Sequence, residues 1–123
     1  IEGASDGMGL GLEFLKHLSR TSILLHIVDL FDPDEVDKIS LSIKALTSEL
    51  RKFEESLYEK ERWLIFNKID LLEEPHLKID EILSDLDWDG PVFSISAETS
   101  VGTEKLKNEL MRRLNELNLS ENN

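Results

Sequence analysis

Two short polar segments of this sequence carry side chains suited to recognising a ligand. The first is Asn67-Lys68-Ile69-Asp70, which directly follows the apolar run 63–66. A carboxylate such as Asp70 accepts two hydrogen bonds from the N1–H and N2–H groups of guanine, a donor pair that adenine lacks. Such a site rejects the wrong base strongly, because its carboxylate would stay unpaired. Asn67 can brace the loop or reach the base, and Lys68 can lay its alkyl stem along a flat ring.

The second polar segment, Ser96-Ala97-Glu98, ends the strand-like run 91–96. A small residue at Ala97 lets a backbone N–H approach a base oxygen, and Ser96 can hydrogen-bond to the loop that carries Asp70. Ligands bind at the carboxyl ends of strands in an open α/β sheet, so we expect the two segments to lie together there. The predicted guanine-binding residues are Asn67, Lys68, Ile69, Asp70, Ser96, Ala97 and Glu98. A plain turn is the alternative interpretation of residues 67–70, because Asn and Asp favour turns.

The elements that must position these segments alternate between helix and strand. The pattern predicts a helix over 10–20, a strand over 22–30, a helix opened by Asp32-Pro33, a strand over 62–67, a helix from Pro75, a strand over 92–96 and a helix after Gly102. This order indicates an α/β fold, a three-layer sandwich in which a parallel sheet of about three strands is flanked by helices.

Three details of these elements bear on the packing. The stretch 23–28 is nearly all apolar and is expected to be buried on both faces, with His26 in a structural role. The helix after Asp32-Pro33 has apolar residues three and four positions apart as far as Leu57, although its last turns near Ser56 could already be loop. We expect this stripe to pack on the sheet, with a coiled-coil seam as the alternative.

Composition limits the classes of protein to be considered. The 123 residues are 40% apolar and 33% charged, as in a soluble domain or part of one. The net charge of −12 gives no footprint for binding DNA directly, and no apolar run is long enough to span a membrane. The absence of cysteine excludes disulfides and thiolate metal sites and fits a cytoplasmic location. The acidic stretch 80–89 is interpreted as a solvated face, with a docking surface for a basic partner as the alternative.

Glycines at positions 3, 7, 9 and 11 open the sequence in a spacing that differs from a dinucleotide-binding fingerprint. Ile1-Glu2-Gly3-Ala4, then Gly7-x-Gly9-x-Gly11 and Phe14-Leu15-Lys16-His17, resemble a segment of the Obg-family GTPases. The stretch from Arg20-Thr21 to Asp29 and the two polar segments extend this resemblance over nearly the whole chain. In the family the first segment is the second switch region, so Gly3, Gly7, Gly9 and Gly11 are expected to act as a switch. A flexible leader is the alternative.

The resemblance implies that residues 1–118 are the C-terminal part of the G domain of a P-loop NTPase. Residues 1–20 would be the switch segment and its helix, 22–118 the base-binding half, and 119–123 a frayed tail. The sequence contains no G-x-x-x-x-G-K-[ST] motif, first-switch threonine or Asp-x-Pro-Gly motif. The ligands of the phosphates and of Mg²⁺ are therefore expected outside this sequence, which offers no catalytic or metal-binding residue.

The function implied by the resemblance is GTP hydrolysis by the complete protein, as a switch in ribosome assembly and in growth or stress control. GTP or GDP and Mg²⁺ would be its cofactors and the large ribosomal subunit its partner. The chain alone is expected to be inactive and to self-associate through the edge strand 23–28. Two alternatives are another translation-associated GTPase family and a non-catalytic α/β interaction module.

Overall fold

Three parallel strands form the centre of the computed structural model, which describes residues 13, 15, 16, 20–30 and 36–121. The strands are β1 (Leu24–Asp29), β2 (Arg62–Asn67) and β3 (Val92–Ser94), in the order β1-β2-β3. The helices are α1 (Val36–Phe53), α2 (Glu55–Tyr58), α3 (Pro75–Leu86) and α4 (Thr103–Glu121), and a 3₁₀ turn covers Ile69–Leu71. The predicted α/β class with a parallel sheet is confirmed.

The register of the sheet decides which loops meet. Leu24 pairs with Arg62 and Asp29 with Asn67, so β1 and β2 begin and end together. β3 pairs with the second half of β2, from Leu64↔Val92 to Phe66↔Ser94. Parallel pairing therefore places the residues that follow all three strands at one edge of the sheet.

Helices cover the sheet on both faces. On one face Leu64 and Phe66 of β2 pack in a buried cluster with residues of α1 and α3: Ile39, Ile43, Ile79 and Ile82. On the other face Trp63 and Ile65 pack with Ile95, Phe93 and two leucines of α4, Leu106 and Leu110. Alternate residues of β2 point to opposite faces, so its run of four buried residues needs helices on both sides. This is the three-layer arrangement that the sequence predicts.

The expectation that β1 is buried on both faces is wrong. Leu25 is 38% exposed and Ile27 is 58% exposed. These two residues share a face with Trp63 and Ile65, their partners in the register. The leucines of α4 that cover this face pack on β2 and on the residues around β3, so within the described residues they leave the outer strand uncovered.

The helix boundaries follow the local signals closely. Pro75 begins α3, as predicted, because its missing N–H costs nothing in the first turn of a helix. The stripe of α1 is buried at Ile39, Ile43 and Leu50, but the helix ends at Phe53 and the extended Glu54 separates it from α2. Ser56 therefore lies in a short separate helix and not in the loop that the sequence left open, and the buried stripe favours packing on the sheet over a coiled-coil seam.

The structure describes only part of the residues near the two ends of the sequence. Residues 13, 15 and 16 are helical, within the predicted helix 10–20, whereas the switch glycines and the Asp32-Pro33 helix start lie outside the described residues. α4 extends to Glu121 and so includes residues 119–121, whose expected fraying stays a prediction. The stretch 117–121 has neither Gly nor Pro, the residues that stop helices. No helix in the described ranges has the length and apolar character to cross a membrane.

Candidate functional site

Asn67 joins the ends of the three strands through its side-chain amide. It is the last residue of β2 and lies opposite Asp29, the last residue of β1. Its Nδ2 donates to Asp29 Oδ1 at 3.4 Å, and its Oδ1 accepts a hydrogen bond from the backbone N–H of Ala97 at 2.9 Å. The first contact is long and weak, whereas the second has ordinary geometry. Asn67 therefore braces the loops, which is one of the two roles predicted for it.

Backbone bonds also connect the two polar segments. The N–H of Ile69 donates to the carbonyl of Ile95 at 3.3 Å, and the N–H of Ile95 donates to the carbonyl of Phe66 at 2.8 Å. Ile69 itself packs against the buried cluster between the sheet and helices α1 and α3. Segments 67–70 and 95–97 thus lie against each other at the carboxyl edge of the sheet, as the strand order predicts.

Lys68 turns the chain sharply after β2. Its φ of 69° and ψ of 30° are left-handed values, which are uncommon for a residue with a side chain. Its ammonium lies 3.2 Å from Asp29 Oδ2, so the same carboxylate contacts both Asn67 and Lys68. The turn leads directly into the 3₁₀ segment that carries Asp70.

Asp29 also belongs to this group of contacts, although it is absent from the residues predicted above. It contacts both polar residues that begin the loop, although it is itself half exposed. One signal for it exists in the sequence: Asp29 follows an apolar strand in the same way that Asn67 follows β2. Parallel strands of equal length bring two such positions together.

Asp70 is exposed on the 3₁₀ turn Ile69–Leu71. Across the described ranges its carboxylate has no hydrogen bond or ion pair to another residue. Both oxygens can therefore accept hydrogen bonds from a ligand without first breaking an internal contact. This is the arrangement that recognition of two adjacent N–H groups requires.

Ser96 holds its own loop rather than the loop that carries Asp70. The residue is fully buried, and its Oγ accepts a hydrogen bond from the N–H of Thr99 at 3.1 Å. Its N–H donates to the carbonyl of Val101 at 2.9 Å, and its carbonyl accepts from Ser100 at 2.8 Å. The expected bond from Ser96 to the Asp70 loop is wrong: among the described residues the Ser96 hydroxyl bonds to Thr99, within its own turn. Asn67 and Ile69 connect the two loops instead.

Gly102 fixes how closely the turn 97–102 approaches β3, a constraint that no sequence pattern reveals. Its φ is +77°, and a Cβ at this position would lie 2.4 Å from the carbonyl oxygen of Ser94. Any other residue would therefore have to move the backbone. This close approach holds the start of α4 against the end of β3 and so keeps Ala97 in place.

The remaining predicted residues, Ala97 and Glu98, are exposed at the same edge. The N–H of Ala97 already donates to Asn67, so a ligand oxygen would have to share or replace that bond. Glu98 makes no hydrogen bond or ion pair to other residues of the described part of the chain. That part also lacks any cluster of three or more His, Cys, Asp or Glu residues arranged to hold a metal ion.

The edge thus presents a carboxylate that has no partner among the described residues, a backbone N–H that donates to Asn67, and the stem of a lysine. These groups suit a flat ring with adjacent N–H donors and a carbonyl. A search of protein-family models gives no match. Among solved structures, the fold is similar to nucleolar GTP-binding protein 1 from Plasmodium falciparum, with a TM-score of 0.53 and 23% sequence identity. The alignment covers 93% of this chain and 58% of that chain, so this chain spans somewhat more than half of that protein's length. The likeness shows the fold.

Proposed function

We propose that this chain contains the base-recognition half of a guanine-nucleotide-binding domain. The observation that carries the proposal is the contrast between Asn67, which is bonded to Asp29 and to Ala97, and Asp70, which has no partner among the described residues. Similarity of the fold to a GTP-binding protein supports the same conclusion.

Each residue of the site receives a role in this proposal. Asp70 accepts the N1–H and N2–H of guanine, the N–H of Ala97 approaches O6, and the stem of Lys68 lies along the ring. Asn67 and Ile69 hold the first loop, Ser96 holds the second, and Glu98 lies at the rim.

The carboxylate is proposed to provide most of the preference for guanine over adenine. A hydrogen bond to a charged group contributes roughly 1.5–3 kcal/mol, so two of them amount to roughly 3–6 kcal/mol. This corresponds to a preference on the order of 10² to 10⁴ in affinity. Adenine would form neither bond and would leave the carboxylate desolvated.

For the complete protein we propose GTP hydrolysis with Mg²⁺, of the kind found in Obg-type GTPases. The glycine-rich segment 1–11 would be its switch, and assembly of the large ribosomal subunit in the cytoplasm would be its setting. The family resemblance of the sequence supports these points. The 123 residues contain no phosphate-binding loop, so the chain by itself is proposed to bind guanine nucleotides weakly and to leave GTP intact.

The test is a titration of the isotope-labelled chain with GDP, IDP, XDP and ADP, followed by NMR. IDP lacks the 2-amino group, and XDP has a carbonyl oxygen in its place. We expect GDP to bind more tightly than IDP or ADP and to shift the amides of residues 68–70 and 97. The variant Asp70→Asn should prefer XDP over GDP, because an amide can donate to the oxygen at position 2. An unchanged order of affinities in this variant would refute the guanine site and favour an interaction module.

We also propose that the chain self-associates through residues 23–28. β1 is the edge strand of the described sheet and exposes Ile27 and Leu25, and such edges invite pairing with another chain. Ile27→Lys should shift the sedimentation coefficient towards that of the monomer. Leu77→Lys is the control, because Leu77 is 52% exposed on helix α3 and should not affect association. A wild-type chain that is monomeric at millimolar concentration would contradict the proposal.

A further inference from the structure

A cavity lies at the opposite edge of the sheet, where the strands begin. It has a volume of about 440 Å³ and lies between helix α1, the segment 58–62 and the turn 87–90. Arg62 begins β2 and Asn67 ends it, which puts this cavity ~17 Å from the candidate guanine site at a rise of ~3.3 Å per residue. A volume of this size suits a small organic ligand.

Arg62 is the main charged group of this cavity. Its Nη2 donates to Thr47 Oγ1 at 2.7 Å, and its guanidinium carbon lies 5.0 Å from the centre of the Trp88 ring. Throughout the described ranges no carboxylate forms an ion pair with it. Burial lowers the pKa of Arg62 from its ordinary value, with Tyr58 acting in the opposite direction, and an arginine so placed stays cationic at neutral pH. A half-buried guanidinium that lacks an anionic partner is costly unless an anion occupies the space beside it.

Trp88 supplies a flat apolar wall next to this charge. Its Nε1 is buried without a hydrogen-bond partner among the described residues, so packing rather than hydrogen bonding holds the ring. Gly90 lies against the ring, and a Cβ there would be 3.2 Å from Cζ2 of Trp88. Gly90 and the guanidinium of Arg62 thus both lie close to the ring, which also lines the cavity.

Other charges on the wall limit the shape of the ligand. Lys44 pairs with Asp85 at 3.9 Å, and the ammonium of Lys60 donates to the carbonyl of Thr21. Asp87 and Asp89 also line the cavity. These two carboxylates disfavour an extended polyanion, whereas a compact anion can reach Arg62 without approaching them closely.

We propose that this cavity binds a small, flat organic anion. Its carboxylate or phosphate group lies on the guanidinium of Arg62, which matches the geometry of either anion, and its ring lies against Trp88. Pockets for small ligands commonly combine apolar walls with a few well-placed polar groups in this way. The inference is independent of the guanine site at the other edge of the sheet.

The two tryptophans make the test direct, because the chain has only Trp63 and Trp88. Nε1 of Trp63 donates to Glu61 at 2.8 Å and its ring stacks on Phe93, so its indole signal serves as an internal control. Benzoate, phenyl phosphate and neutral benzamide are each titrated into the labelled full chain at constant ionic strength. We expect a saturable shift of the Trp88 indole signal with at least one anion, at least tenfold weaker binding of benzamide, and an unchanged Trp63 signal. The anion that binds with the higher affinity shows whether the cavity prefers a carboxylate or a phosphate group.

Variants complete the experiment. Arg62→Gln should lose the saturable shift, whereas Arg112→Gln, at an exposed arginine of α4 that pairs with Glu109 and Glu116, should retain it. If Arg62→Gln does not fold, Gly90→Ala is used, because its Cβ would displace the Trp88 ring and weaken the binding several-fold. The proposal is overturned if neither anion saturates up to 20 mM. Equal binding of benzamide, binding that survives in Arg62→Gln, or binding by Gly90→Ala that is as tight as in wild type also overturns it.

Discussion

Replacing Asn67 and Asp70 by alanine should separate the residue that holds the site from the residue that contacts the ligand. Asn67→Ala removes the 2.9 Å bond from Ala97 and the longer contact to Asp29. A typical hydrogen bond contributes about 0.5–1.5 kcal/mol, and the 3.4 Å contact contributes less. The expected loss is therefore about 1–2 kcal/mol of unfolding free energy. Asp70→Ala removes no bond to a described residue and should change stability by less than about 0.5 kcal/mol.

Both variants are expected to abolish detectable binding of GDP, for different reasons. Asp70→Ala removes the acceptor for the base, whereas Asn67→Ala frees the Ala97 loop and loses the correct geometry. Urea denaturation measures the difference in stability, and NMR titration with GDP measures the binding. Hydrogen exchange adds a local readout, because the Ala97 amide should lose protection in Asn67→Ala only. Equal destabilisation by the two substitutions, or full GDP binding by Asn67→Ala, would refute this division of roles.

Two further predictions concern stability. Burial, with a smaller effect of Arg62, lowers the pKa of His26 from 6.5 to about 4, so the unfolded chain binds its proton first as the pH falls. The contribution of neutral His26 to the free energy of unfolding is complete above pH 6.5 and should be lost by pH 4, by up to roughly 3 kcal/mol. Urea titrations of the wild type and of His26→Gln at several pH values measure this loss. An identical pH dependence of the two proteins would contradict the prediction. Gly102→Ala should cost at least about 1 kcal/mol because of its positive φ, with a further cost from the approach to Ser94. A melting temperature within 1 °C of wild type would show that the turn relaxes freely.

The fold could be predicted where local signals coincide with the final contacts. The apolar run before Asn67 and the proline at position 75 fix β2 and the start of α3 without reference to the rest of the chain. The outcome differs at Leu25 and Ile27, because their exposure depends on which part of the sheet α4 covers. An apolar run alone does not reveal whether one or both of its faces are covered.

The meeting of the two polar segments was predictable from the sequence, but the bonds between them were not. Residues 67–70 and 96–98 follow β2 and β3, and parallel pairing of these strands places both segments at the same edge of the sheet. The Ala97 amide donates to Asn67, and the Ser96 hydroxyl accepts from Thr99. Both bonds depend on the path of the turn that ends at Gly102. That path depends on positive φ values at Ser100 and Gly102, and the serine gives no signal of this in the sequence.

The bond between Asn67 and Ala97 affects how much the Ala97 N–H and the Asp70 carboxylate each contribute to binding at the proposed site. A base oxygen can receive the Ala97 N–H only by sharing or displacing the Asn67 carbonyl, so the net gain from that contact is small. Asp70 has no internal partner in the described residues and gives up only water when it binds. Most of the discrimination should therefore come from the carboxylate. Loss of the 2-amino group, as in IDP, should weaken binding more than replacement of Ala97 by glycine, which keeps the same N–H.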